Sequence, residues 1–259
     1  MQRSTQTSST PILQAATILS IVAAIVVNAL SNIFPLNGLS IGAIANTILA
    51  PVLITPANYA FAIWGVIYLG LIAFGIYQAL PAQRSNSRLQ RLRAPIIWSS
   101  IFQIVWVYLF LSRMFWVSVI GIVAILVNLI AAFVWMQRER FSRREKWIVQ
   151  YPISVYLGWI SVATIVNVAS ALFASGWTGW GISPVVWTVI MLLIATAITV
   201  VIATRFHDAA FPLVIVWAFV AIAVRQIVQP ALAIVALGLA IAIALLIFFT
   251  QFQSRQKSR

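Results

Sequence analysis

Apolar residues run along this chain in long blocks, and polar residues gather in the gaps between them. Eight blocks approach or exceed the ~20 residues that an α-helix needs to cross a bilayer. They lie at roughly 11–33, 56–80, 94–112, 115–136, 147–174, 184–204, 209–228 and 231–252. The breaks between them are short, polar or marked by Pro and Gly, which predicts an all-α integral membrane protein of about eight transmembrane helices. The opening MQRSTQTSST, residues 1–10, reads as a disordered tail. The first block exceeds the 7–15 apolar residues of a signal peptide, so it is expected to remain as a helix. The longest gap, Phe34 to Thr55, carries no charge and is broken by Pro35, Gly38 and Pro51. It is too interrupted to span, and it is a candidate lid.

Composition agrees with the pattern: 63% of residues are hydrophobic, 7% are charged and the mean hydropathy is +1.05. There is no cysteine, which removes disulfides and thiolate metal sites. The net charge of +13 suggests nucleic acid at first sight, but its placement points to lipid topology. Counting gaps in order, 14 of the 16 basic residues fall on one side, leaving Arg113 and Arg225 on the other. By the positive-inside rule the rich side is cytoplasmic, so both termini face inward and residues 253–259 form a basic cytoplasmic tail.

The acids are Glu139, Glu145 and Asp208, all in gaps, and the single histidine is His207. No apolar block holds a carboxylate, so neither a carboxylate dyad nor an acidic proton relay is available inside a bundle. Asp208, His207 and Arg205 are expected to pair locally. This distribution weighs against an enzyme of conventional hydrolytic or metal chemistry and implies no required cofactor.

What the blocks do offer is aromatic rings and neutral amides. Phe61, Trp64 and Tyr68 fall on one face of the second helix; Trp98 and Phe102 stand four apart on the third, beside Ser99 and Gln103. Tyr156, Trp159, Ala163 and Asn167 line a strip of the fifth, where Gly158 permits close approach. Such walls suit a flat, apolar ligand with a few polar edges. The alternative is helix-on-helix packing or an interfacial belt, the expected place of Trp116, Trp135, Trp147, Trp177 and Trp180.

Pro56, Trp64, Ile67 and Tyr68, then Trp98, Ser99 and Phe102, then Tyr156, Leu157, Trp159, Ala163, Thr164 and Asn167 resemble the signature of the tryptophan-rich sensory protein family, which includes the translocator protein or peripheral benzodiazepine receptor. The resemblance covers residues 11–174 in matching helix order, and the Tyr-Leu-x-Trp of the fifth helix is its most specific part. The chain departs from it at Thr55, Tyr59, Pro95 and Val155. The resemblance implies a five-helix bundle at 11–174, to which residues 184–252 add three helices. It also implies a pocket beneath the first connector that takes porphyrins and, in some members, sterols or synthetic drugs.

Carried over to this chain, Trp64, Tyr68, Trp98, Phe102, Trp159, Ala163 and Asn167 would line that pocket, with Asn58 and Tyr59 at its mouth. Arg225 is either an anchor reaching lipid headgroups or a partner for an anionic ligand edge such as a porphyrin propionate. The implied protein is a tetrapyrrole-binding sensor or carrier of the bacterial inner membrane. Its partners would be the bilayer and a porphyrin or sterol-like ligand, with a homodimer left open and no nucleic acid. Two rivals stand beside it: a secondary transporter of a small hydrophobic metabolite and a light-dependent porphyrin-degrading enzyme.

Overall fold

A segment in hydrocarbon must satisfy its backbone N–H and C=O groups internally, and this chain does so with helices throughout. The computed structural model describes residues 9–257, and no strand occurs among them. In order the α-helices are α1 (Ser9–Ile33), α2 (Ile41–Asn46), α3 (Ile63–Ala79), α4 (Ser87–Leu111), α5 (Phe115–Met136), α6 (Arg143–Glu145), α7 (Tyr151–Ala174), α8 (Pro184–Arg205), α9 (Ala210–Arg225) and α10 (Pro230–Lys257). Residues 1–8, most of the expected tail, lie outside the described residues, and α10 continues through 253–257.

Local chemistry sets several boundaries. The Asn86 side chain accepts from the Arg88 and Leu89 amides and starts α4. Ser142 and Glu145 form a reciprocal capping box, after which a π-turn over Lys146–Gln150 leads into α7. Ser183 caps α8 with Pro184 in its first turn.

Among the described residues seven helices are long and apolar enough to cross a membrane: Pro11–Ile33, Asn58–Ala79, Ser87–Leu111, Phe115–Met136, Arg143–Ala174, Pro184–Arg205 and Pro230–Phe252. The chain is thus a multi-pass integral membrane protein. The seventh expected span, 209–228, is shorter than its apolar block. Its helix ends at Arg225 after 16 residues, about 24 Å of rise against a hydrocarbon core of about 30 Å.

The chain forms two compact units, and the residues expected as one five-helix bundle contribute to both. The first comprises residues 1–41 and 64–153, in which α4 packs against both α1 and α5. Close contact is built in where α3 meets the start of α7: a Cβ on Gly70 would stand 2.7 Å from Cβ of Pro152. At one end of this unit Arg93 is wholly buried. Its Nε donates to Gln78 Oε1 at 2.9 Å and its Nη2 to the carbonyls of Gln78 and Gln83. Gln78 and Gln14 in turn donate to each other's backbone carbonyls, tying α1 to α3.

The second unit comprises residues 42–63 and 154–259. Here α9 packs against α8 and α10. Its buried positions, including Phe211, Val214, Ala218, Phe219, Ala221 and Ile222, cover most of its circumference and leave one exposed strip at Leu213, Trp217 and Val224. The short seventh block thus packs most of its surface inside its unit.

Candidate functional site

Four candidate residues, Trp64, Tyr68, Trp98 and Phe102, belong to the first unit; Asn58, Tyr59, Trp159, Ala163, Asn167 and Arg225 belong to the second. In the first, Trp64 and Tyr68 sit one turn apart on α3 and stack with ring centroids 5.3 Å apart and planes 28° apart, both half-buried. Gln103 of α4 donates from Nε2 to the Tyr68 hydroxyl oxygen at 2.8 Å, so the phenol keeps its own proton as a donor. One turn before Gln103, Ser99 is buried and its hydroxyl has no hydrogen-bond partner. Helical hydroxyls commonly bond back to the carbonyl four residues earlier, as Thr17 and Ser161 do; Ser99 does not.

Trp98 and Phe102 form a second stack at 5.8 Å and 29°. The strip of α4 that carries Ser99 and Gln103 is buried, whereas Trp98 on the neighbouring strip is 51% exposed. Helical spacing therefore gives the two strips different surroundings, a distinction that counting residues four apart does not supply.

Phe61, expected on one face with Trp64 and Tyr68, belongs to the second unit. A 3-10 turn runs from Asn58 to Ala62 and α3 begins only at Ile63. The Phe61 ring meets Trp159 edge to face at 5.9 Å. Trp159 is 2% exposed, Asn167 two turns later is also buried, and Ala163 between them is half-buried. Gly158 does provide the expected close approach, against α9: an added Cβ would lie 3.0 Å from Cβ of Val214.

Asn58 and Tyr59 are exposed. Tyr59 packs edge to face on Trp217 at 5.2 Å, and the Trp217 indole N–H donates to the Ala60 carbonyl at 3.1 Å. The Ala57 amide donates to the Ala221 carbonyl, and Gln226 Nε2 to the Leu53 carbonyl. Arg225 lies half-buried: Nη1 donates to Asn46 Oδ1 at 2.7 Å and Nη2 to the Ala45 carbonyl at 3.0 Å. Its charge thus faces the C-terminal end of α2, where exposed carbonyls favour a cation. The connector that the sequence marks as a lid is therefore held at Ala45, Asn46 and Leu53 by Arg225 and Gln226, while Trp217 and Ala221 hold the segment that follows it.

The expected local pairing of Asp208 is replaced by an inward role. Its carboxylate accepts from the Ser154 hydroxyl at 2.8 Å and from the Phe211 amide at 2.9 Å, opening α9. Burial pushes its carboxyl above the usual range, against the opposing effect of these bonds and one from the Ala210 amide. Glu145, by contrast, stays in its capping box and pairs with Arg88 at 3.3 Å.

Trp217 and Asn46 were missing from the candidates. Their signal is the four-residue recurrence of Trp217, Ala221 and Arg225 along α9, and the amides Asn46 in the connector and Asn58 just after it.

A family model described as TSPO-like protein matches residues 14–249. It extends through α8, α9 and most of α10, so the three C-terminal helices fall within the family pattern. No curated protein and no solved structure matches the chain.

Proposed function

We propose, for a chain that belongs to the TSPO-like protein family, that it binds a flat hydrophobic ligand of the tetrapyrrole class and acts as a sensor or carrier. The observation that carries this reading is the aromatic wall of the first unit. Trp64 and Tyr68 are stacked and half-buried, and the phenol oxygen is fixed by Gln103. A π-surface with one oriented polar edge is what a large planar ligand needs: stacking supplies affinity and a hydroxyl donor supplies orientation. Ser99, buried with an unused hydroxyl one turn from Gln103, offers a second polar contact on the same face of α4. The basic end of the helices is assigned to the cytoplasm on the charge asymmetry, with both termini inside.

The test is a titration of the purified protein with protoporphyrin, a sterol and a retinoid, followed by tryptophan fluorescence. Trp64→Leu is expected to weaken porphyrin binding by about 1–3 kcal/mol and Tyr68→Phe by about 1 kcal/mol. Trp180→Ala serves as the control, because that ring is 81% exposed on a different segment. Equal losses in all three variants, or tighter binding of the sterol or retinoid than of the porphyrin, would refute the reading.

A further inference from the structure

We infer that Arg225 forms an oxyanion site that is also the latch of the connector: a carboxylate or phosphate taken up by the guanidinium releases Ala45 and Asn46, the latter linked on to Asn58. The geometry begins with a stripe. Trp217, Ala221 and Arg225 recur every fourth residue on α9; Trp217 and Ala221 meet Ala60 and Ala57 just after the connector, and Arg225 meets the connector itself at Ala45–Asn46. Gln226 adds Leu53. Most of these contacts are neutral, and Arg225 is the charged one.

Its charge is not met by an acid in its own unit. The sequence places a single carboxylate there, Asp208, which opens α9 at the opposite end of that helix. Sixteen residues of helix separate the two, about 24 Å of rise. The guanidinium instead spends two of its five N–H groups on an amide oxygen and a backbone carbonyl. A carboxylate or phosphate makes bonds to a guanidinium roughly twice as strong as neutral acceptors do, and makes two at once. An oxyanion reaching half-buried Arg225 therefore displaces the weaker acceptors.

The displacement has a defined route into the connector. Asn46 donates from Nδ2 both to the Gly42 carbonyl and to Asn58 Oδ1, so it links α2 to the start of the 3-10 turn. Loss of the Arg225 bond at Asn46 thus loosens both ends of the segment together. The inference rests on different residues from the aromatic wall and does not depend on what that wall binds.

Hydrogen exchange of residues 43–57, measured on the full chain in nanodiscs, tests it. The reference is phosphatidylcholine alone; the other arms add phosphatidic acid, protoporphyrin or protoporphyrin dimethyl ester. Exchange in the wild type should rise about tenfold with phosphatidic acid or with the free acid, and not with the ester. A response to phosphatidic acid identifies a lipid phosphate as the anion, and a response to the porphyrin acid identifies a ligand carboxylate. Arg225→Gln should exchange fast in every arm and ignore both anions, while Arg225→Lys should keep a reduced response. An unchanged wild-type rate in all arms overturns the oxyanion site, and slow, wild-type-like exchange in Arg225→Gln overturns the latch. The Trp64 titration judges the proposed function separately.

Discussion

Gln78→Leu should destabilise the first unit far more than its modest change in volume suggests. The side chain holds the one side-chain acceptor of Arg93 Nε, and Arg93 is wholly buried with its Nη1 already lacking a partner. Removing Gln78 Oε1 strands a second donor of the same cation, and also removes the bonds from Gln78 Nε2 to the Gln14 and Gly75 carbonyls. A hydrogen bond to a charged group contributes about 1.5–3 kcal/mol, and an uncompensated buried donor adds its desolvation cost. The expected loss is about 3–4 kcal/mol, or a fall in Tm of roughly 6–12 °C for a chain of this size.

Arg93→Met removes the charge itself and leaves a neutral amide oxygen as the orphan, so it should cost only about 1–2 kcal/mol. The decisive quantity is the double variant. With the cation gone, Gln78→Leu no longer strands anything charged, and Gln78→Leu/Arg93→Met should be more stable than Gln78→Leu alone. Melting in detergent micelles, followed by tryptophan fluorescence, gives the cycle. If the two single losses simply add, Arg93 is not an uncompensated buried cation and the reasoning fails.

Three further outcomes follow from the same structure. Cysteines at positions 85 and 142 should be shielded from an impermeant thiol reagent added outside cells while one at position 40 reacts; outside labelling at 85 would reverse the topology. Because burial raises the Asp208 carboxyl above its unfolded value, its stabilising contribution is full below the ordinary carboxylate range and is lost as pH rises through the raised value. The Tm of the wild type should therefore gain on acidification relative to Asp208→Asn, and parallel profiles would contradict this. Gly158→Val should cost about 2–3 kcal/mol through its clash with Val214, whereas Gly65→Ala, where a Cβ meets nothing within 4 Å, should be near neutral or stabilising; similar effects on Tm would count against the α7–α9 contact.

The helices were legible because a bilayer allows few alternatives to an apolar run. Phe115–Met136 follows its apolar block end to end, since polar or charged residues flank both sides. Residues 210–225 show the limit. Hydropathy alone does not distinguish a helix that faces lipid from one packed mostly against protein, so 209–228 reads as a span although α9 buries most of its circumference and stops after 16 residues. Phe61 shows another limit: spacing from Trp64 and Tyr68 did not announce its edge-to-face partner, Trp159, 98 residues later.

Arg93 and Arg225 were both visible in the sequence as basic residues far from any acid, and charge counting gave them opposite sides of the membrane. What it did not give was their partners. Asn46 lies 179 residues before Arg225, and both Ala45 and Gln78 contribute carbonyl oxygens that no side-chain pattern announces. In a chain with 16 basic and 3 acidic residues, buried cations cannot all be matched by carboxylates and must turn to amides and backbone. The two sites differ in access. Arg93 is closed off and its network can only hold helices together, whereas Arg225 is half-buried beside exposed Asn58 and its neutral partners can be exchanged for stronger ones. The same scarcity of acids therefore produces a structural lock in one unit and an exchangeable latch in the other.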